Sequence, residues 1–273
     1  MTEDLRHAVL GRTGLRVCRL GFAGTYRPGK EAIHRALDEG VNYFFFFGID
    51  TQLIKALREA MRGRREEFVL ASGGTHYWVG SQDLRKSLER RLRQLKTDYL
   101  DVYHFLGIYT ERHVPERVKD ELLGLKETGK VRFTGISCHH RKLVGRLARE
   151  GGIDVFMMRY NAAHRGAEQD IFPFLAAHNP GIVSYTATRW GYLLRPVKGG
   201  PAGGRVPTAG ECYRFVLADP AVHVVLTAPR NLKQTEENLR VLDAGPLSPE
   251  DMDFMRRYGD AVHAQQKKFR FFG

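Results

Sequence analysis

Cysteine is scarce: Cys18, Cys138 and Cys212 are an odd number without metal-ligand spacing, which excludes a disulfide framework and a thiolate metal centre. They are read as reduced thiols in a cytoplasm. Long apolar runs are missing as well, and none approaches the roughly 18 residues of a membrane span. The opening Met1-Thr2-Glu3-Asp4-Leu5-Arg6 lacks the basic-then-apolar pattern of a signal peptide. A cytoplasmic location without a membrane span is therefore expected. Acidic side chains are in deficit, 31 Asp and Glu against 43 Lys and Arg, for a net charge of +12. Such a balance fits nucleic acid, an anionic membrane or small anions. The charges follow amphipathic patterns, however, as in Arg85-Lys86 and Arg90-Arg91-Arg93, and are expected on solvated faces. No specific nucleic-acid partner is expected. The one dense basic stretch, Lys267-Lys268-Phe269-Arg270-Phe271-Phe272, closes the chain and reads as a frayed or back-folded end.

What is present is a repeated alternation of short apolar stretches and helical patterns across all 273 residues, a length close to the roughly 250 of one closed barrel. Strands are expected over residues 19–22, 41–46, 68–72, 99–105, 131–136, 155–160, 182–185 and 223–226. Helices are expected over 30–39, 51–62, 141–150, 168–177, 208–217 and 233–242. Another carries Leu84, Leu88, Leu92 and Leu95 on one face, a further one begins near Pro115, and a last one begins at Ser248-Pro249-Glu250. Parallel strands need such crossovers, so the chain reads as one α/β domain over 1–273, a (β/α)8 TIM barrel. The run Phe44 to Phe47 is expected to fill the barrel interior, and residues 199–204 form a loop rather than a linker. In this architecture chemistry sits at the C-terminal ends of the strands.

Leu10-Gly11-Arg12-Thr13-Gly14-Leu15-Arg16-Val17 precedes Gly21-Phe22-Ala23-Gly24-Thr25. Gly40-Val41-Asn42-Tyr43-Phe44, Thr97-Asp98-Tyr99-Leu100-Asp101-Val102-Tyr103 and Gly129-Lys130-Val131-Arg132-Phe133-Thr134-Gly135-Ile136-Ser137 follow. Tyr160-Asn161 with His164-Arg165-Gly166-Ala167-Glu168 completes the set. In this order and spacing the segments resemble the aldo/keto reductase family over nearly the whole chain. The resemblance implies a barrel opened by an N-terminal β-hairpin. It also implies NADPH-dependent carbonyl reduction, with Tyr as proton donor assisted by Lys, Asp and His.

Against the family pattern, Phe45 stands at the Asp position, Asp50 about where the Tyr belongs, Gly73 at the Lys and Leu106 at the His. Reduction of a carbonyl needs a positioned acid in the transition state, and losing one costs about 10² to 10⁴ in rate. The catalytic residues are therefore unassigned. Candidates at the strand ends are His76, Tyr77 and His139, with Arg159 holding an anionic or carbonyl group. An inward-facing Arg159 is costly to bury unpaired and should meet a carboxylate, a phosphate or a ligand. His104 reads as a hydrogen-bonded core histidine.

The cofactor end is closer to the family pattern. Ala228-Pro229-Arg230-Asn231-Leu232-Lys233-Gln234-Thr235-Glu236-Glu237-Asn238 resembles the segment that binds the adenosine 2′-phosphate. The resemblance assigns Arg230 to the phosphate and Gln234 with Asn238 to the nucleotide, with Asn231 among the cofactor-binding residues, at a helix N-terminus suited to anions. It assigns Tyr185 to stacking on nicotinamide, Thr188 and Arg189 to the pyrophosphate, and Gly24 with Thr25 to the same cofactor. Ser137 is kept, but Cys138 and Met157 replace the Asn and Gln that hold the carboxamide, so a weakened nicotinamide subsite is expected. NADP(H) is the cofactor implied, and no metal. Two functions stay open: an oxidoreductase with a non-standard active site, or a non-catalytic nucleotide- or metabolite-binding barrel acting as pseudoenzyme, sensor or accessory subunit. Either takes a small molecule at the barrel mouth.

Overall fold

The computed structural model describes residues 5–75, 83–110, 112, 116–201 and 204–266. A hairpin of β1 (His7–Val9) and β2 (Arg16–Cys18) comes first, paired antiparallel. Then follow β3 (Leu20–Ala23), α1 (Lys30–Asp38), β4 (Tyr43–Phe45), α2 (Thr51–Ala60), β5 (Val69–Gly74), α3 (Leu84–Leu95), β6 (Leu100–Ile108) and α4 (Glu116–Glu127). The second half carries β7 (Val131–Cys138), α5 (Arg141–Glu150), β8 (Val155–Arg159), α6 (Ala167–Asp170) and β9 (Gly181–Tyr185). It ends with α7 (Ala209–Leu217), β10 (Val224–Thr227), α8 (Leu232–Leu239) and α9 (Pro249–Gln266). Strands β3 to β10 close into a parallel barrel in chain order, with β10 beside β3. This is the expected (β/α)8 architecture with its N-terminal hairpin.

Side chains on a strand alternate between two faces, and the core divides accordingly. Tyr43, Phe45, Val69, Ala71, Val102, Val155, Met157, Val183 and Val224 fill the lumen together with Leu10, Leu15 and Val17 of the hairpin. Phe44, Phe46, Leu70, Tyr103, Phe105, Ile136, Phe156 and Ile182 face outward into the helical layer. The hairpin caps the N-terminal ends of the strands, where the Arg12 N–H donates to the Asn179 carbonyl just ahead of β9. The opposite end is left as the mouth.

Four expectations are corrected. The phenylalanine run does not fill the lumen as a block: Phe45 faces inward, Phe44 and Phe46 pack under the helices, and Phe47 is exposed. The helix expected over 168–177 shrinks to α6 and a 3-10 turn, Phe172–Phe174. Pro173 has no N–H to give the Gln169 carbonyl, and the chain leaves helical geometry at Ile171, at φ −131° and ψ −57°. Arg91 leaves the solvated face and is buried on α3, its guanidinium so close to Gly48 that any Cβ there would clash. Strand β6 runs past residue 105 with a register shift between Phe105 and Ile108, around Gly107 at φ +78°. In line with expectation, Ser248 Oγ caps α9 by accepting from the Asp251 N–H at 3.1 Å. Among the described residues, no helix is long and apolar enough to cross a membrane. Pro115 and residues 267–273 lie outside the described residues.

Candidate functional site

The β4–β6 side of the mouth is apolar. Phe45 meets Phe47 edge-on at 5.1 Å and the His104 ring at 6.0 Å. Gly73 pairs with His104 across β5 and β6. A Cβ on Gly73 would lie 2.4 Å from the His104 carbonyl and 2.7 Å from Leu106 Cγ. The bulge at Gly107 re-aims this part of β6, and Leu106 fills the space a side chain at 73 would need. Asp50 is buried at the N-terminus of α2, its Oδ2 accepting from the Phe47 N–H at 2.7 Å. Burial raises its pKa against that hydrogen bond and the field of Arg91. We expect Gly73→Lys alone to lower stability by about 1–3 kcal/mol through overpacking, read from urea unfolding. An unchanged midpoint would show that Leu106 yields freely.

His104 is fully buried, its Nδ1–H donating to the Ser72 carbonyl at 3.3 Å, and burial lowers its pKa to about 4. Because the charged form is disfavoured only in the fold, its contribution is complete above pH ~6.5 and falls away as pH drops towards about 4. The loss is about 3 kcal/mol at full protonation. Unfolding free energies measured across that window should decline, and His104→Gln should flatten the decline.

Polar groups gather on the β7–β9 side. His139 follows β7 and stacks on Tyr109 at 4.6 Å with an interplanar angle of 4°. Tyr185 Oη, at the end of β9, lies 3.2 and 3.1 Å from the two ring nitrogens of His139. Burial, then the charge of Arg159, holds the His139 pKa at about 4, so the ring is neutral at neutral pH. Burial also pushes the Tyr185 phenol up, against a hydrogen bond with Ser137 and the charge of Arg159. Arg159 ends β8, directly beside Tyr185 in the sheet. Cys138, by contrast, is buried among the outward-facing residues, its Sγ accepting from the His140 N–H at 3.3 Å. Met157 faces the lumen. His76 and Tyr77 lie outside the described residues.

The loops after β9 and β10 form the rim beyond Tyr185. Thr186, Arg189 and Trp190 all adopt positive φ, at 59°, 50° and 53°, ahead of Gly191. The Asn161 side-chain amide donates to the Thr186 carbonyl at 2.9 Å and holds the first of them. Such strain costs on the order of 1–3 kcal/mol per residue and clusters at ligand-binding positions. Thr188 is half-buried in this turn, its carbonyl accepting from the Gly191 N–H. Across the rim, the Arg230 guanidinium lies 4.3 Å over the Tyr26 ring, in the loop after β3 that carries buried Gly24 and exposed Thr25. Asn231 caps α8 by accepting from the Gln234 N–H at 2.9 Å. Gln234 Oε1 accepts from the Arg230 N–H at 2.9 Å. Asn238 lies inside, donating to Thr227 Oγ1 at 2.8 Å. The structure thus brings Arg230, Asn231 and Gln234 to one helix start, with Asn238 buried two turns along the same helix.

Tyr26 and Tyr109 were missed by the sequence reading. Gly107 inside an apolar strand is a bulge signal, and the bulge is where Tyr109 becomes available to His139. No local signal marks Tyr26.

The aldo/keto reductase family model matches residues 27–206. The uncharacterized oxidoreductase YqkF of Bacillus subtilis (strain 168) is 21% identical, over 93% of this chain and 96% of that protein. L-galactose dehydrogenase of Arabidopsis thaliana is 25% identical, over 84% and 86%. The holo form of aldo-keto reductase AKR11C1 from Bacillus halodurans superposes with a TM-score of 0.76 at 22% identity, covering 93% of this chain and 96% of that one.

Proposed function

The chain belongs to the aldo/keto reductase family, and on that premise we propose that it is an NADP(H)-binding oxidoreductase whose active site departs from the family's. The observation that carries the cofactor is the start of α8. Arg230 is exposed, rests on Tyr26 and forms no ion pair among the described residues, while Asn231 and Gln234 order the helix end behind it. A guanidinium beside open helix N–H groups fits a phosphate. The strained turn at Thr186 to Gly191 fits backbone contact with the rest of the dinucleotide. The nicotinamide end fits less well, because Met157 offers no hydrogen bond and Cys138 is turned outward. When bound, NADPH supplies a hydride.

The residues of this chain would then bind and orient the dinucleotide and hold a proton at Tyr185 Oη, next to neutral His139 and to Ser137. A second reading is favoured by one observation. Phe45, Gly73 and Leu106 put no acid at these three positions among the described residues of the β4–β6 side, as in a barrel that binds without turnover. Titration of the purified protein with NADPH and NADH, followed by cofactor fluorescence, tests the shared premise. Saturable micromolar NADPH binding is expected, with NADH weaker, and no binding of either would remove the proposal.

A further inference from the structure

Several arginines that leave the surface of this protein are matched. Arg12 meets Asp154 at 2.8 Å, Arg65 meets Asp101 at 2.8 Å, Arg165 meets Asp260 at 2.7 Å, and Arg19 donates to the carbonyls of Leu217 and Val222. Arg58, Arg91 and Arg214 form no ion pair or hydrogen bond with a described residue either, and Arg91 has the field of the Asp50 carboxylate; Arg159 differs in its place at the barrel mouth. It ends β8 on the lumen side, two residues beyond Met157, and is only partly exposed. It makes no hydrogen bond and no ion pair with any described residue. Tyr185, Arg141 and Tyr109 act on it most, and the field of Arg159 in turn reaches His139, His164 and Arg189. Arg141, whose charge acts on it, is itself paired with Asp170 at 2.9 Å. Arg189 on the rim is depressed to about 10 by burial and then by Arg159, so the two cations crowd one space.

An ionised group taken out of water without a counter-charge is costly. A fold that keeps one at its mouth, walled by the Tyr109–His139 stack and Tyr185, is arranged for an anion supplied from outside. We infer that Arg159 is the anchor for an oxyanion, carboxylate or phosphate, on the small molecule that enters the barrel mouth. The neutral imidazole of His139 and the phenol of Tyr185 would face the part of that molecule next to the anion. The inference rests on the mouth being the ligand site, as proposed above, but not on the cofactor being bound.

The test is calorimetric titration of the full-length protein with benzoate, its uncharged isostere benzamide, and inorganic phosphate, in wild type, Arg159→Met and Arg159→Lys. NADPH is titrated in parallel. A charge-assisted contact predicts that the preferred anion binds wild type about 10- to 100-fold more tightly than Arg159→Met. Arg159→Lys should be intermediate and benzamide weak throughout. Benzoate or phosphate as the tighter probe identifies the carboxylate or phosphate source. Arg159→Met without ligand should unfold at or above the wild-type temperature, since it removes an uncompensated charge; a clear fall would reveal an internal partner and overturn the inference. Anion binding unchanged in Arg159→Met would move the site to the basic surface and overturn it too. So would the absence of benzoate and phosphate binding to wild type. A loss of NADPH affinity in Arg159→Met without anion binding would give the arginine to the dinucleotide diphosphate. NADPH failing to bind wild type, with anions still held through Arg159, would support this inference and sink only the cofactor reading.

Discussion

Replacing Arg230 with alanine should weaken NADPH binding by about 10- to 100-fold while leaving NADH binding within about twofold. The two dinucleotides differ by the 2′-phosphate, so a residue that acts through that phosphate separates them. Arg230 is suited to this because its guanidinium is held over Tyr26 at 4.3 Å rather than in an ion pair. Its backbone N–H is fixed by Gln234 at 2.9 Å, which sets the direction from which the side chain leaves. Tyr26→Leu should produce a smaller, parallel loss by freeing the guanidinium, about threefold for a cation–π contact at an exposed site. Both effects should shrink as salt is raised, because the site is at the surface. Fluorescence titrations of wild type and the two variants check this. Equal losses for NADPH and NADH in Arg230→Ala would mean that the residue supports the rim generally and reads no phosphate.

The largest effect on stability is expected at the other end of the barrel. Asp154 precedes β8 and accepts from Lys126 Nζ at 2.9 Å, Arg12 at 2.8 Å, the Thr134 N–H at 2.9 Å and the Thr134 hydroxyl at 3.2 Å. One carboxylate thus ties the capping hairpin, α4, β7 and β8 together. Removing one partner of a buried ion pair costs about 3–5 kcal/mol, and the partial exposure of Arg12 and Lys126 favours the low end. Asp154→Ala should therefore lose about 3 kcal/mol, a fall in Tm of about 6–12 °C. Burial by itself would raise the Asp154 pKa, but Lys126, Thr134 and Arg12 outweigh it and hold the carboxyl below its ordinary value. With the folded pKa depressed, the contribution is complete above the ordinary carboxylate range near about 4 and disappears as pH falls through the lower folded value. Asp154→Asn should remove that acid-side slope while keeping part of the Thr134 contacts. Urea unfolding at several pH values reads all of this, and an Asp154→Ala Tm within about 2 °C of wild type would refute it.

The barrel was legible because period-two strands and period-3.6 helices alternate along the chain with few exceptions. The exceptions have local causes that the pattern hides. Pro173 stops a helix that the apolar spacing continues, and Gly107 bends β6 so that Leu106 closes over Gly73. Arg91 looks like one more surface arginine of α3 until Gly48 is seen to leave room for it. The proposed cofactor end rests on family resemblance, and its contacts come from residues far apart in the chain, such as Arg230 on Tyr26 and Tyr185 on His139. No window of sequence contains both partners. Asn238 shows what the motif does not carry, since one of its amide N–H groups donates to Thr227 within the fold.

Steady-state NADPH oxidation with a panel of uncharged aldehydes and ketones is the most direct test of the account. With Phe45, Gly73 and Leu106 in place, the proposed barrel holds the dinucleotide but lacks the groups for the family's ordinary proton transfer. Saturable NADPH binding is expected, with no measurable oxidation of it by any uncharged carbonyl compound. Turnover of such a compound at an ordinary enzymatic rate, on the order of 10 s⁻¹, would contradict it.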